Sequence, residues 1–169
     1  MTERIAAVQA GPRRFQLAEQ MKVLWEGPAF KAKASEPAIE VLPGMLVRSW
    51  RDVRGAARTA RRDTTDVHLH QLRIRLKDLR YGAETIALIE GGPARKTARA
   101  AERLQSKLGD LHDADFAIRW LEALAVELPD LADAANRLAA VERAVADETR
   151  KGWKRDLKEV ERRWRRWQG

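Results

Sequence analysis

The chain has 169 residues with 33 Lys+Arg against 25 Asp+Glu, 44% hydrophobic residues and no cysteine. That composition excludes a disulfide scaffold and a cysteine-ligated metal site, and it supplies enough apolar material to bury roughly two-thirds of the unfolded surface. No stretch approaches the ~20 consecutive apolar residues of a membrane helix, and the opening MTERIAAVQAGPRR lacks the charged-then-apolar order of a signal peptide, so a cytoplasmic protein without a membrane partner is expected.

Breaks fall at Gly11-Pro12, Gly27-Pro28, Pro37, Pro43-Gly44, Gly91-Gly92-Pro93 and Pro129. Between them apolar residues recur at three and four without sustained alternation, which predicts helices and no sheet. An N-terminal segment over 1–13 is expected to precede one helical domain over 14–169. Its first helix spans Arg14–Trp25. A second covers Pro37–Arg62, bent near Pro43, and a third Asp66–Glu90, with Asp66 as its N-cap and the double glycine as its end. The fourth covers Ala94–Leu128, led by Pro93, and the fifth Pro129–Trp167. Short connections make the fold all-α, an antiparallel bundle of about four to five helices.

The helix faces are legible from spacing. Leu72, Leu76, Leu79, Ala83 and Ile86 fall within about 80° of one another at 100° per residue, a stripe for packing on neighbours. On the last helix Trp153, Leu157, Val160, Trp164 and Trp167 share a face, which reads as core. Arg150, Lys151, Lys154, Arg155, Lys158, Arg162, Arg165 and Arg166 are assigned to the other face.

The positive charge is concentrated. Residues 45–82 hold ten Lys/Arg and four acids, and residues 150–169 hold nine and three, which leaves 14 basic and 18 acidic groups elsewhere. Such segments suit a polyanion, or else merely solvate two amphipathic helices. In HQLRIRLKDLRYGAE, His70, Arg73, Lys77 and Arg80 step by three, four and three. On a helix they occupy about 80° of arc and about 15 Å of length, beside the leucine stripe. Arg75 points elsewhere, and the row is read as lacking i, i+4 acidic partners. The second helix repeats the spacing with Arg51, Arg54, Arg58 and Arg61. The two rows either face one another across a groove or face different directions.

His68, His70 and His112 have acids nearby at Asp66, Asp110 and Asp113. His68 and His70 are two apart and diverge by about 160° on a helix, so no metal site is expected. His70, whose unperturbed pKa is near ~6.5, is expected to favour its protonated form beside a polyanion and to weaken binding as pH rises.

LHQLRIRLKDLRYGAE at 69–84, followed by LQSKLGDLHDADFA at 104–117, resembles the CHAD domain. That family pairs a His-x-x-Arg-x-x-x-Lys-x-x-Arg-Tyr helix with a later Leu-Gln-x-x-Leu-Gly-x-x-x-Asp helix, and the likeness extends from about residue 14 to the C-terminus. It implies a polyphosphate-binding helical module without catalysis of its own, with His70, Arg73, Lys77 and Arg80 contacting phosphate, and no cofactor is expected. Gln105, Gly109 and Asp113 match the second motif in structural roles: Gly109 for close helix approach, Asp113 to brace a cation. His112 stands where the family more often has Asn or Arg.

Family members usually carry two related halves whose basic rows line a shared groove, and this chain looks like the second half alone. Either it is a fragment or two copies rebuild the groove as a homodimer. The expected function is capture of inorganic polyphosphate by charge pairing, through the His70 row together with Arg51, Arg54 and Arg58, with association to polyphosphate granules as an extension. The alternative is sequence-independent nucleic-acid binding, against which stands the core placement of the tryptophans. Catalysis on phosphates is not expected, since there is no GxxxxGK[ST] loop and Asp113 and Asp115 diverge on a helix. A partner protein docked on the last helix is a further reading.

Overall fold

The structure, a computed structural model, describes residues 12–27 and 29–169. It divides into two units, one ending at Pro37 and one running from Ala38 to Gly169. The first holds α1 (Pro12–Glu26) and a 3-10 turn (Ala32–Ser35), with no buried residue among those described. The N-terminal segment expected over 1–13 lies outside the described residues as far as residue 11, and Pro12 and Arg13 already belong to α1.

The second unit contains α2 (Ala38–Arg62), α3 (Asp66–Glu90), α4 (Gly92–Glu127), a 3-10 turn (Pro129–Leu131) and α5 (Ala132–Gln168), and the described residues contain no strand. Each helix packs on the next in the chain, α2 on α3, α3 on α4 and α4 on α5. Short links leave successive helices little choice but to run antiparallel. This is the all-α bundle expected from spacing.

Local chemistry sets the boundaries. The N-cap of α3 is Thr65 and not Asp66: Thr65 has extended backbone (φ −97, ψ 159) and its Oγ1 accepts the His68 N–H at 3.3 Å. Asp66 is already helical, where its charge favours the positive end of the helix dipole. Gly91 ends α3 at φ 78, a conformation only glycine adopts at little cost, and its N–H donates to the Ala87 carbonyl at 3.2 Å. Pro43 lies inside α2, which continues past the hydrogen bond that proline cannot donate.

The core is built from the predicted stripes. Leu72, Leu76, Leu79 and Ala83 on α3 are fully buried, as are Leu104 on α4 and Val160 on α5. Trp50 on α2 stacks on Trp164 with ring centroids 5.1 Å apart, and Trp167 meets Trp164 at 4.9 Å. Trp167 Nε1 donates to Glu90 Oε2 at 2.6 Å and so ties the end of α5 to the end of α3. At Gly82, α2 and α3 approach so closely that an added Cβ would lie 2.9 Å from Leu46 Cδ1.

Arg150 corrects the assigned polar face of α5. It lies only about 60° from Trp153 on the helix, at the shoulder of the apolar stripe. Its Nη2 reaches Asp66 Oδ1 at 2.9 Å and Asp115 Oδ1 at 2.6 Å, which joins α3, α4 and α5 at one point. Burial and the Asp66 charge push the Asp115 carboxyl above its ordinary range, with Arg150 opposing them. Burial works against the guanidinium charge, but the two carboxylates more than compensate and raise its pKa.

α4 and α5 have 36 and 37 residues against 25 each in α2 and α3. Since the first residue of α3 sits at the level of Asp115, the rest of α4 and the start of α5 extend as a two-helix arm. A small cluster of Leu121, Ala135 and Ala139, with Ala125 against it, holds that arm together.

Candidate functional site: a cationic groove between α3 and α4

The His70, Arg73, Lys77 and Arg80 row lies along the border of α3 with α4. The His70 ring packs on His112 with centroids 4.6 Å apart. The Arg73 guanidinium lies against Gly109, where an added Cβ would stand 3.2 Å from Nε and 3.6 Å from Nη2. Arg80 Nη1 is 3.6 Å from Glu102 Oε1. Glu102, Gly109 and His112 share one face of α4, so antiparallel packing brings that strip alongside the α3 row. Gly109 thus makes room for the guanidinium of Arg73, which is a different role from the helix contact expected of it.

The row is not free of carboxylates. Arg80 Nε lies 3.4 Å from Glu84 Oε1, an i, i+4 ion pair without hydrogen-bond geometry, so the reading that such partners were absent fails at this end. Arg73 and Lys77 have no carboxylate within ion-pair distance among the described residues. Tyr81 steadies the exposed end, its ring centroid 4.6 Å from Arg80 Cζ and 5.8 Å from Lys77 Nζ. His70 Nδ1, Arg73 Nε and Gln105 Oε1 are buried without a hydrogen-bond partner in the protein. Such atoms are costly to leave unpaired, and with almost no exposed surface of their own they are closed to water where the two helices pack.

Burial depresses the His70 pKa below 6.5, with the charges of His112 and Arg73 acting in the same direction. The imidazole is therefore mainly neutral at pH 7 and is poised to take up a proton when an anion settles beside it.

The second row is elsewhere. Arg54, Arg58 and Arg61 line a cleft with α5 residues Glu161 and Arg165. Arg51 and Arg58 also border a depression with His68, Gln71 and Arg75, on the side of α3 opposite the His70 row. The arrangement in which the rows face one another is therefore not the one formed.

Asp113 is exposed and makes no ion pair among the described residues, and the bracing carboxylate is Asp115, two positions on. His68 Nδ1 lies 2.9 Å from the Asp63 carbonyl and so caps a turn. No three His, Cys, Asp or Glu converge as metal ligands among the described residues. Not every tryptophan is core, for Trp120 is 57% exposed and Trp25 87%. No helix in the described residues is long and apolar enough to cross a membrane.

A bundle of four long helices carrying a row of cationic side chains along the border of one helix pair has the make-up of a helical binding module. The family model of the CHAD domain matches residues 2–122, which takes in α2, α3 and most of α4, and the chain belongs to the CHAD family. The family is one of binding domains and is consistent with polyphosphate recognition. No curated protein and no solved structure matches the chain.

Proposed function

We propose that the protein binds inorganic polyphosphate in the α3/α4 groove and performs no chemistry on it. The observation that carries this reading is the pair of cations, Arg73 and Lys77, one turn apart, without carboxylate partners and beside a second helix that leaves room for them at Gly109. The Arg73 fork suits two phosphate oxygens, and Lys77 adds a point charge at the next phosphate along. His70 supplies an N–H donor in either charge state. Arg80 is the weakest member, because Glu84 and Glu102 already share its charge. The test is calorimetric titration with long-chain polyphosphate: Arg73→Ala and Lys77→Ala should each weaken binding about tenfold with unchanged helicity. Wild-type affinity in both variants would remove the reading.

Nucleic acid is the second reading, and one observation favours it. The α4 strip that holds Gly109 and His112 continues to Phe116 and Trp120, 65% and 57% exposed, which are placed to stack on bases. Competition between polyphosphate and single-stranded DNA at equal phosphate concentration separates the two readings. Loss of polyphosphate to the DNA would favour the second.

Self-association belongs to the same proposal. The α5 part of the arm shows Leu138, Val141 and Val145, 57%, 61% and 48% exposed, at three-four spacing on one face. A second copy seated there would cover apolar surface that a monomer leaves wet. Light scattering should report a dimer that Val141→Glu dissociates, and a wild-type monomer would exclude it.

A further inference from the structure

We infer that the cleft between α2 and α5 is a second anion site, separate from the α3/α4 groove, and that it takes a compact oligophosphate. The cleft has a volume of about 440 Å³ and is walled by Arg54, Arg58 and Arg61 from α2 and Arg165 from α5. That volume is within the range of sites that enclose small molecules. Among the described residues, the only carboxylate in the wall beside these four guanidinium groups is Glu161, whose Oε1 is held by Arg61 Nη2 at 3.1 Å. Arg54, Arg58 and Arg165 have no acidic partner among the described residues. The α2 side comes from Arg54, Arg58 and Arg61, spaced by four and three on the face toward α5, and like charges on adjacent turns cost energy unless an anion relieves them.

The floor of the cleft determines the class of ligand. Trp50 and Trp164 lie beneath it, stacked on each other and only 8% and 2% exposed. They present no ring face on which a base could stack, yet they exclude water from below and so strengthen each charge–charge contact above them. Recognition is left to charge and to the planar arginine fork, which matches paired phosphate oxygens. Several phosphates close together, as in tripolyphosphate, match three unpaired guanidinium groups. Such a unit can be a free short chain or a segment of a longer one.

The two sites lie on different helix pairs, so each can be removed without the other. Calorimetry with tripolyphosphate should find two sites on the wild-type chain. Arg54→Ala/Arg58→Ala should retain one, and Arg73→Ala/Lys77→Ala should retain the other. Arg137→Ala/Lys158→Ala, which removes two charges from neither wall, should keep both. Both cleft residues are exposed, so folding, checked by circular dichroism, should survive their loss. Two sites persisting in Arg54→Ala/Arg58→Ala, or a loss no greater than in the charge control, overturns the inference. Failure of Arg73→Ala/Lys77→Ala alone to lose a site counts against the α3/α4 reading and leaves the cleft standing. Repeating the titration with long-chain polyphosphate distinguishes the two sources. A segment of a longer chain is supported if Arg54→Ala/Arg58→Ala also weakens long-chain binding, and a free short chain if it does not.

Discussion

Arg73 on α3 occupies the space that a side chain at position 109 on α4 would take: a Cβ there would come within 3.2 Å of Arg73 Nε. The contact is with a flexible side chain, so Gly109→Ala should be tolerated by the fold. Replacing a helical glycine by alanine gains about 1 kcal/mol, which offsets the cost of moving the guanidinium. The expected outcome is an unchanged or slightly raised melting temperature together with several-fold weaker polyphosphate binding. Gly82→Ala provides the contrast, because its Cβ would stand 2.9 Å from Leu46 Cδ1 in the core and should destabilise by about 1–3 kcal/mol. Equal affinity in Gly109→Ala and wild type would show that Arg73 does not touch the ligand.

Salt should reveal how many cations the ligand engages. Binding that releases counterions from a polyanion weakens linearly on a log–log plot against salt, with a slope set by the number of phosphates neutralised. Lys77→Ala should therefore weaken binding and reduce the slope by about 1. Arg80→Ala should change the slope by less, because Glu84 and Glu102 already lie 3.4 and 3.6 Å from its guanidinium. A larger change for Arg80 than for Lys77 would reverse the ranking of the groove.

The pH response follows from His70. Burial, then His112 and Arg73, hold its pKa below 6.5 in the free protein. The folded chain thus binds fewer protons than the unfolded chain at mildly acidic pH. The stability contributed by neutral His70 is fully present above 6.5 and is lost as pH falls toward the depressed folded value. A polyanion acts oppositely by favouring the protonated ring, so polyphosphate affinity should rise as pH falls below about 6.5. Melting temperature measured without ligand and affinity measured by titration should therefore move in opposite directions below pH 6.5. His70→Gln should flatten both trends, and a slope that persists in this variant would assign the proton to another group.

Much of this was legible from spacing, and the exceptions share a cause. The leucine stripe of α3 and the tryptophan face of α5 follow from 3.6-residue periodicity, because burial selects one face of each helix. The His70 row was legible for the same reason. What spacing within one helix does not encode is which neighbour a face meets. The arginines of α2 repeat the row's pattern, yet Arg54, Arg58 and Arg61 meet α5 while Arg51 borders the far side of α3, and Gly109 and His112 acquire their roles only when α4 lies antiparallel to α3. Glu84 was readable as an i+4 partner of Arg80 from the start. Thr65 and Asp66 are equally good capping residues by type, and backbone dihedral angles decide between the two.

Arg150, which spacing places on the polar face of α5, is instead the junction of three helices. Its Nη2 reaches one oxygen each of Asp66 and Asp115, and Asp115, whose Oδ2 is buried without a partner, is only 6% exposed. Removing the guanidinium leaves a buried carboxylate without its counter-charge, a defect that typically costs about 3–5 kcal/mol. Arg150→Ala should therefore unfold at a markedly lower denaturant concentration, with the cooperativity of unfolding preserved. Pairing it with Asp115→Asn should recover part of the loss, because a neutral amide is easier to bury unpaired than a charge. Neither change touches the groove cations, so polyphosphate affinity measured well below the transition should stay near wild type. A denaturation midpoint unmoved by Arg150→Ala would mean that the junction contributes geometry without stability.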